Sequence, residues 1–266
     1  MKAVILAAGR GGRLRAAVGD RPKCLARIGA RTLIERQIQT LRACGVDDVV
    51  VVAGYRAAQV RAACGPRVDI VHNARFATTN SLYSLWLARE LLAGGFIVLN
   101  GDVLFHPQLL TDLLTARYED ALLMAARAED ETFSAEEMKV QVRRGRVIDM
   151  DKAMPESQAD GENIGIVKFG ADGAAVMVDA LNQIVAAGGV CEWLPRAFVA
   201  FVDVRPLHVV ESRGFPWIEI DFPEDYWRAC SEVLPAIEAA ASPVGVANPP
   251  TAVGASEQVG RTLHHV

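Results

Sequence analysis

The feature that most constrains the fold is an apolar segment near the start of the chain that ends in a glycine-rich, basic loop. The segment from Val4 to Ala7 is short and ends abruptly at glycine, which favours a buried parallel strand over a helix. The loop contains Gly9, Gly11 and Gly12, and residues without side chains let backbone N–H groups approach an anion closely. Its cations are Arg10, Arg13, Arg15, Arg21 and Lys23. The pattern predicts a polyphosphate site more strongly than an ordinary turn with a solvated basic rim.

Two common phosphate-binding loops do not fit this segment. A dinucleotide fingerprint requires G-x-G-x-x-G, but Leu14 stands where the third glycine would be, and the G-K-[ST] ending of a Walker loop is absent from the sequence. The pattern L-A-A-G-x-G-x-R-L followed by P-K instead resembles the signature of the nucleotidyltransferases that make sugar nucleotides and related activated alcohols. The matching residues are Leu6, Ala7, Ala8, Gly9, Gly11, Arg13, Leu14, Pro22 and Lys23.

Composition limits the other classes of protein. A chain of 266 residues can bury a sizeable core, as one large α/β domain or two small ones. The net charge of −4 and the local clustering of basic residues argue against a nucleic-acid surface. Five widely spaced cysteines without metal spacing are typical of reduced core residues in a cytoplasmic protein. We expect no membrane association, because no apolar run approaches the ~18 residues of a membrane helix and no signal segment is visible.

Apolar periodicity predicts alternating helices and strands in the first half of the chain. A helix is expected from Thr32 to Cys44, with Thr32 as N-cap, Glu35 three residues later and Gly45 as the stop. Further strands are predicted at 48–53, 68–72 and 96–100, and further helices at 55–64 and 80–92. Such alternation indicates a parallel sheet with right-handed crossovers. Ligands bind at the carboxyl ends of these strands, so Asp102 and the Gly9 loop should share a crevice.

The pattern changes beyond Pro107, where the sheet is expected to become mixed. The predicted elements are helix 107–116, strand 121–126, a hairpin of 138–143 and 146–150, strand 163–169, helix 171–187, strands 207–210 and 217–220, and helix 223–240. We therefore expect a Rossmann-like, three-layer α/β/α fold with a mixed, mainly parallel sheet of the nucleotidyltransferase type. Residues 1–240 would form the catalytic domain, with a nucleotide-binding half (1–126) and an acceptor-binding half (127–240). Residues 241–266, rich in Pro, Gly, Ala and Ser, are predicted to be a disordered tail.

Two aspartates are candidates for a metal site. Nucleotidyl transfer brings two anions together, so catalysis consists mainly of positioning and of neutralising charge. Asp102 and Asp221 each follow a predicted strand, and a pair of carboxylates suits Mg²⁺, which keeps several waters. A helix N-cap or turn is the alternative role for either, and it is strongest for Asp221, two residues before Pro223. Both aspartates match positions that hold metal in the superfamily that the chain resembles.

The resemblance narrows to one branch. The run Asn80-Ser81-Leu82-Tyr83-Ser84-Leu85, and Glu219-Ile220-Asp221 with Glu224-Asp225-Tyr226, are similar to the branch of bacterial phosphocholine cytidylyltransferases and relatives acting on inositol phosphate or aminoethylphosphonate. The likeness covers about residues 1–235. It implies that Arg13 meets the triphosphate and that Lys23 bridges the reacting phosphate groups. The nucleotide-binding residues are then Ala7, Ala8, Gly9, Gly11, Gly12, Gly54, Tyr55, Asn80 and Ser84, whereas Tyr83 and Leu85 are expected in the helix core.

The acceptor-binding residues rest on weaker signals. Lys152 lies where superfamily members often place a lysine on the acceptor's phosphate, with a solvated loop lysine as the alternative. Lys139 could meet phosphate, Glu162 a hydroxyl or ammonium, and Trp217 is the aromatic residue assigned to the acceptor. Choline would call for an aromatic cage. The middle segment supplies mainly acids, Glu131, Glu136, Glu137 and Glu162, with only Phe133 nearby, so a cyclitol or polyol phosphate or an amino-bearing phosphonate fits at least as well.

The resemblance implies a Mg²⁺-dependent nucleotidyltransferase that needs no covalent enzyme intermediate. It would couple a small phosphorylated alcohol, cyclitol or phosphonate to CMP from CTP and release pyrophosphate. A sugar-1-phosphate nucleotidyltransferase using UTP, dTTP or GTP is an alternative, because the loop fixes phosphates and not the base. A non-catalytic nucleotide-binding relative is less favoured, since Arg13, Lys23, Asp102 and Asp221 are all present. A homodimer would be in keeping with a chain of this class.

Overall fold

The computed structural model describes residues 1–127 and 132–241 of the chain. The strands are β1 (Lys2–Ala7), β2 (Arg27–Ile28), β3 (Arg31–Thr32), β4 (Val49–Ala53), β5 (Asp69–His72), β6 (Phe96–Asn100), β7 (Val103–Phe105), β8 (Ala121–Ala126), β9 (Lys139–Arg143), β10 (Arg146–Asp151), β11 (Gly161–Phe169), β12 (His208–Glu211) and β13 (Trp217–Glu219). The helices are α1 (Arg15–Val18), α2 (Leu33–Ala43), α3 (Ala57–Cys64), α4 (Ser81–Leu87), α5 (Pro107–Thr115), α6 (Ala171–Ala186), α7 (Pro195–Val202), α8 (Pro223–Arg228) and α9 (Leu234–Ala241). Glu131 and the predicted tail beyond Ala241 lie outside the described residues.

Within this part of the chain, nine strands form one sheet in the order β5-β4-β1-β6-β11-β8-β12-β10-β9. The first four are parallel neighbours. β11 runs antiparallel between β6 and β8, β12 is parallel to β8, and β10 and β9 continue in antiparallel pairing. The sheet is thus parallel in the first half of the chain and mixed beyond Pro107, as the change of sequence pattern predicts.

Two apolar layers cover the two faces of the sheet. The helices α2, α3 and α5 pack on the face that carries Ile5, Val51 and Leu99. The helices α4, α6 and α7 pack on the opposite face, against residues such as Val4 and Val98. Successive residues of a strand point to opposite faces, so a strand covered by helices on both sides is apolar throughout. The three-layer α/β/α fold is therefore confirmed.

Helix α2 shows how closely local sequence signals set an element. The Thr32 side chain accepts a bond from the Glu35 N–H, and the Glu35 carboxylate accepts the Thr32 N–H at 2.7 Å, which is the predicted capping box. Gly45, with φ of 81°, follows the end of the helix. Among the described residues, no helix has both the length and the apolar character needed to cross a membrane.

Several predictions of elements were incomplete. Helix α7 and strand β7 were not predicted, because an eight-residue apolar segment does not distinguish helix from strand and a three-residue strand has no periodicity to detect. The predicted helix 80–92 ends at Leu87 and continues only as a 3-10 turn at 89–91. The predicted helix 223–240 contains a π-helical segment at 229–233. Cys191 is exposed, so the expectation that every cysteine lies in the core was wrong.

Candidate active site

The glycine-rich loop leaves β1 and folds back onto Lys23. Gly11 has φ of +64°, and a Cβ there would lie 2.7 Å from the Lys23 Cβ, so both the backbone conformation and the close approach require glycine. A Cβ at Gly9 or Gly12 would meet no atom of the described residues within 4 Å. Packing within the protein therefore does not explain these two glycines. An approaching phosphate would explain them, because backbone N–H groups without flanking side chains can reach an anion.

Lys23 lies between the two predicted metal-binding aspartates. Its Nζ donates to Asp102 Oδ2 at 2.8 Å and to Asp221 Oδ1 at 2.5 Å. Strands β7 and β13 pair antiparallel, and the Ile220 N–H donates to the Asp102 carbonyl at 3.0 Å, which joins the two aspartate segments. The structure thus brings Lys23, Asp102 and Asp221 together at the carboxyl end of β6, in the crevice that the topology predicts.

The helix-capping role that is the alternative for Asp221 is filled by the neighbouring Asp225. The Asp225 carboxylate accepts the N–H groups of Asp221 and Phe222 at 3.0 and 2.9 Å. This arrangement satisfies backbone donors at the start of α8, where an acidic side chain is favourable. The Asp221 carboxylate is consequently left to face Lys23.

The site concentrates charge in a partly dehydrated crevice. Burial alone would lower the pKa of Lys23, but attraction to Asp102 and Asp221 outweighs it and raises the pKa above its ordinary value. Burial opposes ionisation of Asp221, yet the Lys23 ammonium leaves the Asp221 pKa below its usual range. Glu219, two residues earlier, has a pKa well above its usual range because it is partly withdrawn from water and lies beside Asp102 and Asp221. Sequence reasoning did not assign Glu219 to the site, although it stands in the segment that carries the family likeness.

The residues present fit a divalent ion such as Mg²⁺. Asp102 Oδ1 is buried and has no hydrogen-bond partner among the described residues, so it has a free lone pair in the crevice. In the same part of the chain, no cluster of three or more His, Cys, Asp or Glu side chains forms a complete metal cage. Mg²⁺ is ordinarily held by one or two carboxylates, waters and substrate phosphates, and Asp102 with Asp221 supply such a pair.

A cavity of about 200 Å³ opens beside the crevice. Of the predicted nucleotide-binding residues, Ala8, Gly9, Asn80 and Ser84 line it, as do Asp102, Lys152 and Glu219. Asn73, which was not predicted, is buried there, and its side-chain amide donates to Thr79 and Ser84 at 3.1 Å. Trp193, Leu194, Pro195 and Phe198 complete one wall, so the unpredicted α7 helix contributes to the cavity.

Gly54 and Tyr55 have contacts that hold the loops around the cavity. A Cβ at Gly54 would lie 2.7 Å from the Ala8 carbonyl oxygen and 2.5 Å from the Phe76 Cβ, so this glycine permits close packing. The Tyr55 N–H donates to the Ala8 carbonyl at 3.0 Å, and the Tyr55 hydroxyl donates to Asp20 at 2.8 Å. These bonds tie the glycine-rich loop to the end of β4. A direct contact of either residue with base or ribose stays a prediction.

A second cavity, of about 500 Å³, adjoins the first and shares Glu136 and Glu219 with it. Its aromatic residues are Phe133, Trp217 and Phe222, and its acidic residues include Glu162, Asp221 and Asp225. Phe133 comes from the middle segment, as expected, and Phe222 is an aromatic residue that was not predicted for the acceptor site. Trp217 and Phe222 are far from Phe133 in the sequence. They reach the same cavity because β13 and the start of α8 lie beside it.

The two lysines predicted to bind the acceptor differ in environment. The Lys152 Nζ lies 3.0 Å from Glu136 Oε2 and 4.8 Å from the Trp193 ring centre, beside the first cavity. Lys139 is buried, and its Nζ donates to the Lys152 carbonyl at 2.6 Å. Lys139 thereby supports the backbone turn that carries Lys152. Arg13 lies across from Lys152, with its Nη1 2.9 Å from Glu136 Oε1.

The chain resembles curated cytidylyltransferases over most of its length. It is 28% identical over 246 residues to a choline-phosphate cytidylyltransferase from Streptococcus pneumoniae, covering 88% of this chain and 98% of the relative. It is 31% identical over 230 residues to a bifunctional IPC transferase and DIPP synthase from Rubrobacter xylanophilus, covering 84% of this chain but only 50% of that protein.

Solved structures share the fold of this chain, and a family model identifies its family. The inositol-1-phosphate CTP transferase from T. maritima superposes with a TM-score of 0.74 at 22% identity, covering 89% of this chain and 94% of that one. The CTP:phosphocholine cytidylyltransferase from Streptococcus pneumoniae gives a TM-score of 0.69 at 26% identity, with 85% and 96% covered. The chain is a nucleotidyltransferase and belongs to the family of MobA-like NTP transferase domains, whose family model matches residues 3–219.

Proposed function

We propose that the protein is a Mg²⁺-dependent cytidylyltransferase that transfers CMP from CTP to a small acceptor bearing a phosphate or phosphonate. The observation that carries this proposal is the convergence of Lys23, Asp102 and Asp221 in one crevice beside the glycine-rich loop. Fixed cations and carboxylates at that place suit a reaction between two anions, where neutralising charge lowers the barrier. The similar cytidylyltransferases from Streptococcus pneumoniae and the CTP transferase from T. maritima favour cytidine over other bases.

In the proposed reaction, an oxygen of the acceptor's phosphate attacks the α-phosphorus of CTP. The bond from that phosphorus to the bridging oxygen breaks, and pyrophosphate leaves with the electron pair. Lys23 neutralises charge on the reacting groups, and Arg13 holds the triphosphate. Backbone N–H groups of the Gly9 loop bind phosphate oxygens. Asp102 and Asp221 would hold Mg²⁺, which supplies additional positive charge on phosphate oxygens when bound.

The second cavity supports an acceptor that carries a positively charged amine. The Trp217 ring and the Glu162 carboxylate line the same cavity. The Phe222 ring there already faces the Arg13 guanidinium at 4.9 Å, and the Phe133 ring faces the Lys139 ammonium at 5.7 Å. Aromatic faces together with acids attract ammonium groups by cation–π and Coulomb interactions. Phosphocholine and aminophosphonates are such acceptors, whereas a cyclitol phosphate would use the acids as hydroxyl acceptors only. Trp217 beside Glu162 thus favours an acceptor that carries an amine.

Pyrophosphate release tests the proposal. CTP, UTP, dTTP and GTP are each combined with phosphocholine, 2-aminoethylphosphonate, inositol 1-phosphate and glucose 1-phosphate, in Mg²⁺ and in EDTA. We expect the fastest release with CTP and an amine-bearing acceptor in Mg²⁺. Preference for another nucleotide with glucose 1-phosphate would identify a sugar-1-phosphate nucleotidyltransferase. Nucleotide binding without release across the panel would identify a non-catalytic relative.

A further inference from the structure

The Glu136 carboxylate joins the two sides of the crevice. Its Oε1 lies 2.9 Å from the Arg13 guanidinium, which belongs to the glycine-rich loop, and its Oε2 lies 3.0 Å from the Lys152 ammonium, which follows β10. Glu136 also lines both cavities. One carboxylate therefore engages a cation of the nucleotide side and a cation of the acceptor side at the same time.

A carboxylate between two cations has the charge and the oxygen acceptors that a substrate phosphate would offer them. Resting on the function proposed above, we propose that Glu136 takes the place of substrate phosphate between Arg13 and Lys152 in the free enzyme and is displaced from both cations when the substrates bind. Glu136 is then an internal competitor of the substrate phosphates and requires no contact with the reacting atoms.

The two cations have a second support that does not involve Glu136. The Arg13 guanidinium lies 4.9 Å from the Phe222 ring centre, and the Lys152 ammonium lies 4.8 Å from that of Trp193. Such cation–π contacts persist when a carboxylate leaves, so both cations would stay in the crevice. The pKa of Glu136 is lowered by its bonds to Lys152 and Arg13, in keeping with an ionised side chain.

The shared carboxylate also links the two substrate sites. A triphosphate that takes Arg13 from Glu136 removes one of the two attractions holding the carboxylate, which eases its release from Lys152. The acceptor's phosphate then binds Lys152 at a lower cost. By thermodynamic reciprocity, an anion at Lys152 would help the triphosphate at Arg13 to the same extent. Glu136 thus weakens the binding of each anion when it binds alone, and it makes the binding of one anion favour the binding of the other.

The variant Glu136→Gln tests both consequences by calorimetry, with CTP in Mg²⁺ as one probe and inorganic phosphate as the other. Partly exposed ion pairs of this kind are each worth up to about fivefold in an equilibrium constant. We therefore expect Glu136→Gln to lower the CTP Kd about threefold to fivefold, because CTP competes with Glu136 for Arg13. We also expect added phosphate to assist CTP binding less in the variant than in the wild type, because the shared competitor is gone.

Glu192→Gln is the matched control, because it removes the same charge from an exposed residue next to Trp193. The Glu192 carbonyl, which accepts the Leu82 N–H, is kept in this variant. It should leave the CTP Kd within about twofold of the wild type. An unchanged CTP Kd in Glu136→Gln, with a melting temperature equal to that of the wild type, would overturn the inference. A weaker CTP or phosphate affinity would also overturn it and would indicate that Glu136 contacts substrate directly.

The wild-type protein separates this inference from the proposed function. If it binds CTP and releases pyrophosphate while Glu136→Gln binds CTP with the same Kd, only the inference fails. If the wild type binds no CTP and releases no pyrophosphate with any acceptor of the panel, the proposed function and the inference both fail.

Discussion

Lys23 keeps two carboxylates together whose charges would otherwise repel one another. Its side chain is only 14% exposed, and those of Asp102 and Asp221 are 25% and 19% exposed. Removing one member of a mostly buried charge cluster leaves uncompensated charge, which is costlier than losing a surface ion pair. This residue is therefore expected to matter for stability as well as for the reaction.

The variant Lys23→Met should lower the free energy of unfolding by about 2–3 kcal/mol in EDTA and abolish measurable pyrophosphate release. The loss should shrink in Mg²⁺, because an ion bound by Asp102 and Asp221 would neutralise them. Urea unfolding in both conditions provides the measurement. The double variant Lys23→Met/Asp221→Asn serves as control, and it should recover part of the stability in EDTA and respond less to Mg²⁺. Equal losses in EDTA and Mg²⁺ would argue against a metal held by the two aspartates.

The loop glycines allow fold and binding to be tested separately. Gly11→Ala should destabilise the protein by more than about 1 kcal/mol, because φ is positive and the new Cβ would meet Lys23. Gly9→Ala should change stability by less than about 0.5 kcal/mol, since no atom in the described part of the chain lies within 4 Å of the new Cβ. It should nevertheless weaken CTP binding, because the methyl group would hinder backbone contact with phosphate. Thermal melts and calorimetry distinguish these effects, and unaltered CTP affinity in Gly9→Ala would remove Gly9 from the phosphate site.

At this scale, sequence reasoning identified Lys23, Asp102 and Asp221, because strand ends and a basic glycine loop have local signatures. Their convergence is observed, whereas their roles in the reaction stay predictions. Glu219 and Glu136 were not recognised as central. Their environment depends on burial and on partners far away in the chain, and neither quantity is visible in a single sequence.

At the scale of elements, helix α5 has an unusual cap. His106 precedes Pro107, its Nδ1 accepts the Gln108 N–H at 3.0 Å, and its ring stacks on Phe215 at 4.9 Å. The His106 Nε2 is buried without a hydrogen-bond partner among the residues described. Burial therefore lowers the pKa of His106 below its ordinary 6.5. A neutral imidazole is required for the cap, because a protonated Nδ1 cannot accept a bond.

This cap predicts a specific pH dependence. Because the folded protein disfavours protonated His106, the stability it contributes is present above about pH 6.5 and is lost as the pH falls below that value. His106→Asn keeps a capping oxygen but does not titrate. Between pH 7.5 and pH 5.5, the wild type should lose about 1 kcal/mol more unfolding free energy than the variant. Urea titrations at both pH values measure this difference, and parallel losses would exclude His106 as its source.

Elements with strong local signals were predicted well, and those that depend on tertiary pairing were not. The capping box of α2 lies within four consecutive residues, so sequence alone defines it. Strand β7 exists only because β13 pairs with it, with Leu104 opposite Ile218. The division of the C-terminal helix by a π-helical segment likewise had no counterpart in the sequence pattern.

At the scale of the whole molecule, one sheet runs through both predicted halves. Strand β11, from the second half, lies between β6 and β8 of the first, with Ile166 opposite Leu99. The Phe96 and Phe169 rings stack at 5.1 Å across the β6–β11 boundary. The two predicted halves thus share one core, and we propose that they unfold together.

Phe169→Ala tests this cooperativity. Both rings are fully buried, so the substitution should cost about 3–5 kcal/mol. Unfolding is followed by tryptophan fluorescence in two backgrounds that each keep a single tryptophan. Trp86 reports on the first half and Trp217 on the second. Both urea midpoints should fall together in Phe169→Ala. A fragment of residues 1–126 should not fold, because β6 would lose its neighbour β11. A midpoint that moves for Trp217 alone would show that the halves unfold separately.

The sequence by itself determined the first strand, the phosphate-type loop, the α/β alternation and the likeness to nucleotidyltransferases, because these depend on periodicity and on short-range residue patterns. Tertiary structure alone decided the pairing of β7 with β13, the gathering of Phe133, Trp217 and Phe222, and the ion pairs of Glu136 with Arg13 and Lys152. The physical reason is that burial, cavity shape and ion pairing arise from segments distant in the chain, whose approach depends on the packing of the whole sheet.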